Sequence, residues 1–71
     1  MTGGRLRVEL NGEPKEFEEG TTLSALVERL ALAPERVAVE LNRDVVRRAD
    51  WPATRLNDGD RVEIVHFVGG G

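Results

Sequence analysis

The chain contains no cysteine and only one histidine and one lysine. Without cysteine there can be no disulfide, no thiolate metal ligand, and no thiol to act as nucleophile or carry a persulfide. His66 alone provides no spacing for a zinc site or a catalytic triad. If this protein takes part in covalent chemistry, its side chains offer few vehicles, and the C-terminal carboxylate becomes the candidate by elimination. No apolar run is long enough to span a bilayer, and no basic segment followed by an apolar stretch opens the chain. Thr2 departs from the usual N-myristoylation pattern, so the expected location is the cytoplasm, with no membrane partner. Thirteen acidic and ten basic residues leave a net charge of −3. That balance lacks the basic excess of a nucleic-acid binder.

At 71 residues the chain forms one small domain, and a domain of this size buries only about 60 % of the surface its unfolded form exposes. Arg5 to Leu10 alternates strictly, with Leu6, Val8 and Leu10 on one face, as in a half-buried strand. Asn11-Gly12 follows and signals a tight hairpin turn, because both residues tolerate positive φ. Lys15 to Glu18 should return as a second strand with Phe17 inward. Gly20-Thr21-Thr22 breaks that strand and offers a hydroxyl N-cap. Leu23, Leu26, Val27 and Leu30 then recur at helical spacing, and Pro34 is expected to stop the helix. Val37 to Leu41 reads as a strand with Val37, Val39 and Leu41 inward, Asn42-Arg43 as a turn, and Asp44 to Arg47 as a short edge strand. Asp50 to Ala53 reads as a crossing loop with Trp51 packed over the core. Asn57-Asp58-Gly59-Asp60 is a turn that launches the last strand, Val62 to Val68.

This order predicts an α+β fold: a mixed sheet of four to five strands with one main helix across one face, the first and last strands central and parallel. Such an arrangement is a β-grasp, or ubiquitin-like, fold. The domain is expected to cover residues 1–68, with 69–71 as a flexible C-terminal glycine tail. In the last strand Val62 and Ile64 continue the inward face, while Val65 and Phe67 fall on the face that the helix does not cover. Two readings follow: an exposed docking patch, or a local bulge that turns both side chains back into the core.

Gly69-Gly70-Gly71 follow this apolar strand directly. Glycine has no Cβ, so such a tail fits a slot too narrow for any side chain. Three extended residues reach on the order of 10 Å. A terminal carboxylate, with a reference pKa of about 3.3–3.7, is ionised at neutral pH and is a poor electrophile. It requires activation, usually by transfer of AMP from ATP, and this chain has no phosphate-binding loop with which to do that itself. Once adenylated, the acyl group can be attacked by a sulfur donor to give a thiocarboxylate, or by an amine to give an amide conjugate. A chain-forming modifier needs surface lysines, and Lys15 is the only one. The glycines alone could equally be a disordered chain end.

Three segments carry a family resemblance: Val37-Ala38-Val39-Glu40-Leu41-Asn42, Arg48-Ala49-Asp50-Trp51, and the run from Leu56-Asn57-Asp58-Gly59-Asp60 through Ile64-Val65-His66-Phe67-Val68-Gly69-Gly70-Gly71. With these the chain resembles the thiamine-biosynthesis sulfur carrier family, ThiS, which is ubiquitin-like. The N-terminal third matches in pattern only, through Asn11-Gly12 and Gly20-Thr21-Thr22-Leu23. The resemblance implies a carrier rather than an enzyme. Its Gly71 carboxylate would be adenylated by an E1-like adenylyltransferase, which uses ATP and Mg²⁺, while the carrier binds no cofactor or metal. Sulfur derived from cysteine by a desulfurase would convert the adenylate to a thiocarboxylate, and thiazole synthase would receive that sulfur. Gly69 and Gly70 would thread the partners' active sites, and Val65, Phe67 and Val68 would contact the partners.

The closest rival is the small subunit of molybdopterin synthase, whose family generally carries a proline-containing segment before its glycines. Here His66-Phe67-Val68 stands in that place. Other thiocarboxylate carriers, a conjugating ubiquitin-like modifier and a plain β-grasp binding module are the remaining alternatives. Deletion of Gly70 and Gly71 would leave the last of these fully active. His66 reads as a strand residue at the partly exposed sheet surface, Trp51 as packing, and the acidic residues Glu16, Glu18, Glu19, Asp58 and Asp60 as solvated faces and turns.

Overall fold

A computed structural model describes residues 4–67. Strand β1 (Arg5–Leu10) buries Leu6, Val8 and Leu10 and exposes the residues between them, as alternation requires. Asn11 and Gly12 turn the chain at φ 49° and 84°, the doubly positive backbone whose twist matches the flanking strands. Strand β2 (Glu13–Glu18) then pairs antiparallel along the whole of β1, from Leu10↔Glu13 to Arg5↔Glu18. It starts two residues earlier than the apolar pattern indicates. Its first residues lie on the sheet edge, where Pro14 can be accommodated without loss of an interior ladder bond, and only Phe17 is buried.

Helix α1 (Leu23–Arg29) opens as expected, with the Thr22 hydroxyl accepting the Ala25 N–H at 3.1 Å. Leu23, Leu26 and Val27 are buried against the sheet, and each contributes on the order of 2 kcal/mol of transfer free energy. The end of the helix differs from expectation. Ala31 takes the left-handed conformation at φ 58°, its N–H donates to the Glu28 carbonyl, and the Leu32 N–H donates to the Val27 carbonyl. This pair of reversed bonds satisfies the last carbonyls and ends the helix. Pro34 therefore does not stop it and instead begins a 3₁₀ turn, Pro34–Arg36. Leu30, fourth in the apolar stripe, sits at this C-cap and is 37 % exposed.

Strands β3 (Val37–Leu41) and β4 (Asp44–Val46) form a second hairpin around Asn42 and Arg43, at φ 52° and 77°. A 3₁₀ segment, Arg48–Ala53, takes the place of the expected irregular loop. It buries Trp51, whose Nε1–H donates to the Val46 carbonyl at 2.9 Å, so the indole is packed and its one polar group is satisfied. Strand β5 (Arg61–His66) completes the sheet in the order β2-β1-β5-β3-β4. β1 and β5 are parallel, and the other neighbours are antiparallel. With α1 packed on one face, this is the β-grasp arrangement, with the last strand at its centre.

Candidate functional site

The site is built on the C-terminal half of β5. On one side β5 pairs with β3 in unbroken register from Leu41↔Val62 to Val37↔His66, and the Phe67 N–H donates to the Arg36 carbonyl at 2.8 Å. No bulge interrupts this ladder. Alternation therefore keeps Ile64 against the core and stands Val65 and Phe67 on the outer face, where they are 52 % and 57 % exposed. Of the two sequence readings, the return of Val65 and Phe67 into the core is thus incorrect. A bulge would need an extra residue in β5, and Ala38↔Val65 faces its partner one to one. Val45, on β4, is 67 % exposed and lies opposite Glu40, which in turn lies opposite Glu63. Among the described residues the outer face thus carries three large, exposed apolar side chains. Sequence reasoning missed Val45, because a three-residue strand offers too few alternations to assign its faces.

The start and the middle of β5 are held by asparagines from the two hairpin turns. The Asn42 side chain accepts the Arg61 N–H at 2.9 Å and donates to the Asp60 carboxylate at 3.0 Å. Asp60 is not the solvated turn residue that the sequence suggests: it is 8 % exposed and also accepts the Asn57 N–H at 2.7 Å, because the two turns close over its carboxylate. Further along, Asn11 donates its own N–H to the Val62 carbonyl, and its side-chain oxygen accepts the Ile64 N–H at 2.8 Å. Positive φ selects asparagine at both turns. Its side-chain amide then supplies the bonds that β1 and β3 no longer reach to give.

The expected tail residues, Val68, Gly69, Gly70 and Gly71, lie outside the described residues, as does the boundary proposed between domain and tail. His66 is exposed at the end of β5. Among the described residues no group of three or more His, Asp or Glu is placed to hold a metal ion, and no helix is long and apolar enough to cross a membrane.

A five-stranded β-grasp with a braced central last strand defines a small ubiquitin-like protein. The sequence pattern of the ThiS family matches residues 8–71. The chain belongs to the ThiS family, the sulfur carriers of thiamine biosynthesis. It is 41 % identical over 62 residues to the sulfur carrier protein ThiS of Thermus thermophilus, covering 87 % of this chain and 95 % of that one. It is 35 % identical over 65 residues to ThiS of Bacillus subtilis, covering 90 % and 98 %. The crystal structure of the thiamine biosynthesis protein ThiS from Geobacter metallireducens superposes with a TM-score of 0.75 at 37 % identity, covering 93 % of this chain and all of that one. The chain is also 50 % identical over 66 residues to a thiazole synthase of Magnetococcus marinus, of which it spans only 20 %.

Proposed function

We propose that the chain carries sulfur as a thiocarboxylate on Gly71 and delivers it for construction of the thiazole ring of thiamine. A Gly71 carboxylate oxygen attacks the α-phosphate of ATP in the active site of an E1-like adenylyltransferase, and pyrophosphate leaves with Mg²⁺. The acyl adenylate is then attacked by hydrosulfide, which two thiols release from the persulfide of a cysteine desulfurase while they are oxidised to a disulfide. AMP departs, and the thiocarboxylate remains. Thiazole synthase is the acceptor. The carrier is a co-substrate in these steps and binds no cofactor of its own, and the sequence fits a cytoplasmic protein.

The observation that carries this reading is the bracing of β5 up to Phe67 beside an exposed apolar pair. Two conditions favour delivery of a carboxylate into another protein's active site: a rigid strand before it and a docking surface close by. β5 meets the first condition through its ladder to β3 and the two asparagine clamps. Val65 and Phe67 meet the second, and Val68 extends the same apolar sequence. Gly69 and Gly70, lacking side chains, suit a narrow channel. The thiazole synthases of Magnetococcus marinus and Paramagnetospirillum magneticum each include a segment like this chain, at 50 % and 38 % identity. That supports thiazole synthase as the acceptor.

The test is the intact mass of the chain after incubation with ATP, Mg²⁺, the adenylyltransferase of the same organism and sulfide, with fragmentation of the C-terminus. Exchange of oxygen for sulfur localised to Gly71 is expected. Fragmentation is required because oxidation of Met1 changes the mass almost identically. No exchange with an enzyme active on its own carrier would overturn the reading.

A further inference from the structure

The edge of β5 that faces β1 is only partly covered. β1 pairs with β5 at Glu9↔Arg61 and Leu10↔Val62, and the chain then reverses at Asn11 and Gly12. Strand alternation determines which backbone groups remain. Phe67 points its N–H to β3, so Val62, Ile64 and His66 point theirs to the β1 side. Asn11 takes the Val62 carbonyl with its N–H and the Ile64 N–H with its side chain. Beyond it, the Ile64 carbonyl and both backbone groups of His66 have no hydrogen-bond partner among the described residues. Beside this bare edge lies a hollow of about 420 Å³ lined by Leu30, Leu32 and Ile64, with Asn11, Lys15 and His66 also bordering it. The exposure of Leu30, unexplained by the core, falls at this place.

We propose that this edge receives an extended segment of the adenylating enzyme, added as a short strand against Ile64 to His66 with one apolar side chain in the hollow. The proposal rests on the reading that the C-terminus is delivered to that enzyme. A row of unpaired carbonyl, N–H and carbonyl groups along one strand is matched by another extended backbone. The Leu30, Leu32 and Ile64 side chains offer apolar contact to an incoming residue. A strand bound here lies against the last residues before the tail, continuous with the Val65 and Phe67 surface on the other face of β5. It thereby fixes the point from which the tail departs. A second copy of this chain is the other occupant such an edge could take, and the test below separates the two.

The test compares His66→Pro with His66→Ala. Proline removes the His66 N–H, a group that bonds nothing within the described fold, and edge positions accept it. Alanine removes the imidazole alone. Binding of each to the adenylyltransferase of the same organism is measured by calorimetry. His66→Ala accounts for loss of the imidazole at the rim of the hollow, and His66→Pro is expected to bind about tenfold more weakly than His66→Ala, a loss on the scale of one or two backbone hydrogen bonds. Equal affinities for the two variants would overturn the proposal. So would a dimer of the free protein that His66→Pro dissociates, because the edge would then belong to a second copy. Should His66→Pro unfold, amide exchange decides. In the free protein the Ile64 amide exchanges slowly and the His66 amide fast, and the enzyme slows His66. Unchanged His66 exchange in the complex overturns the proposal. Failure of the parent chain to become adenylated at all is a separate result and overturns the proposed function instead.

Discussion

Asn42 and Asp60, eighteen residues apart, are joined by a 3.0 Å hydrogen bond from the Asn42 amide to a carboxylate that is 8 % exposed. The same carboxylate accepts the Asn57 N–H, and the same asparagine accepts the Arg61 N–H. One nearly buried charge thus ties the β3–β4 turn and the turn before β5 to the start of β5.

Asp60→Ala is therefore expected to be among the most damaging single changes outside the apolar core. It leaves the Asn42 amide and the Asn57 N–H without their acceptor, and hydrogen bonds to a charged group are worth about 1.5–3 kcal/mol each. A loss of about 3 kcal/mol is expected, because some replacement by water is available at this edge. Urea unfolding reads it as a lower midpoint with little change in slope. A midpoint within error of the parent would show that the carboxylate is not structurally coupled to β5.

Ala31→Gly is expected to raise stability. Ala31 holds φ at 58° to close the helix, a conformation that costs a residue with a Cβ about 1 kcal/mol or more and that glycine adopts freely. A gain of about 0.5–1 kcal/mol is expected after glycine's greater unfolded-state entropy is counted. For a domain of this size that raises the thermal midpoint by several degrees, on the scale of about 4–8 °C per kcal/mol. An unchanged or lower midpoint would mean that the helix end relaxes away from this geometry.

These two sites also show where the sequence is legible and where it is not. The hairpins, the Thr22 cap and the inward faces of β1, β3 and β5 follow from local signals: paired positive-φ residues, a hydroxyl before a periodic stripe, and alternation over five or six residues. The end of α1 is hidden because alanine is the strongest helix former and gives no hint of a left-handed conformation, while Pro34, a visible stop signal, lies beyond the true end. Asn11 and Asn42 are readable as turn residues, but their side-chain partners are not. Ile64 and Asp60 lie 53 and 18 residues away, and only the assembled sheet brings them together. The exposed pair Val65 and Phe67 is visible in the alternation, whereas the bare edge at His66 appears only when β1 is seen to end before β5 does.

Phe67→Ala separates docking from folding. Phe67 is 57 % exposed and its backbone, not its ring, makes the bond to Arg36, so stability is expected to change by no more than about 0.5 kcal/mol. If the outer face docks the adenylyltransferase, truncating its largest aromatic anchor is expected to weaken binding by about tenfold or more. Val45→Ala, at the far side of Glu40, tests how far the surface extends and is expected to have a smaller effect. Unchanged affinity in Phe67→Ala would remove the docking role while leaving the fold account intact.

Substitution in the tail makes the opposite separation, between reach and docking. Gly70→Val adds a branched side chain at the penultimate residue, and the proposed mechanism requires that residue to enter a channel shaped for bare backbone. Val65, Phe67 and the β5 edge are untouched, so encounter with the adenylyltransferase is expected to persist. Adenylation of Gly71 should nevertheless fall by about 100-fold or more, because misplacing the reacting carboxylate by roughly 1 Å is sufficient for such a loss. The unfolding midpoint should not move. The measurement is single-turnover formation of pyrophosphate, alongside calorimetric binding. Rapid adenylation of Gly70→Val would show that the active site accommodates side chains in the tail, and the glycines would then need an explanation other than steric access.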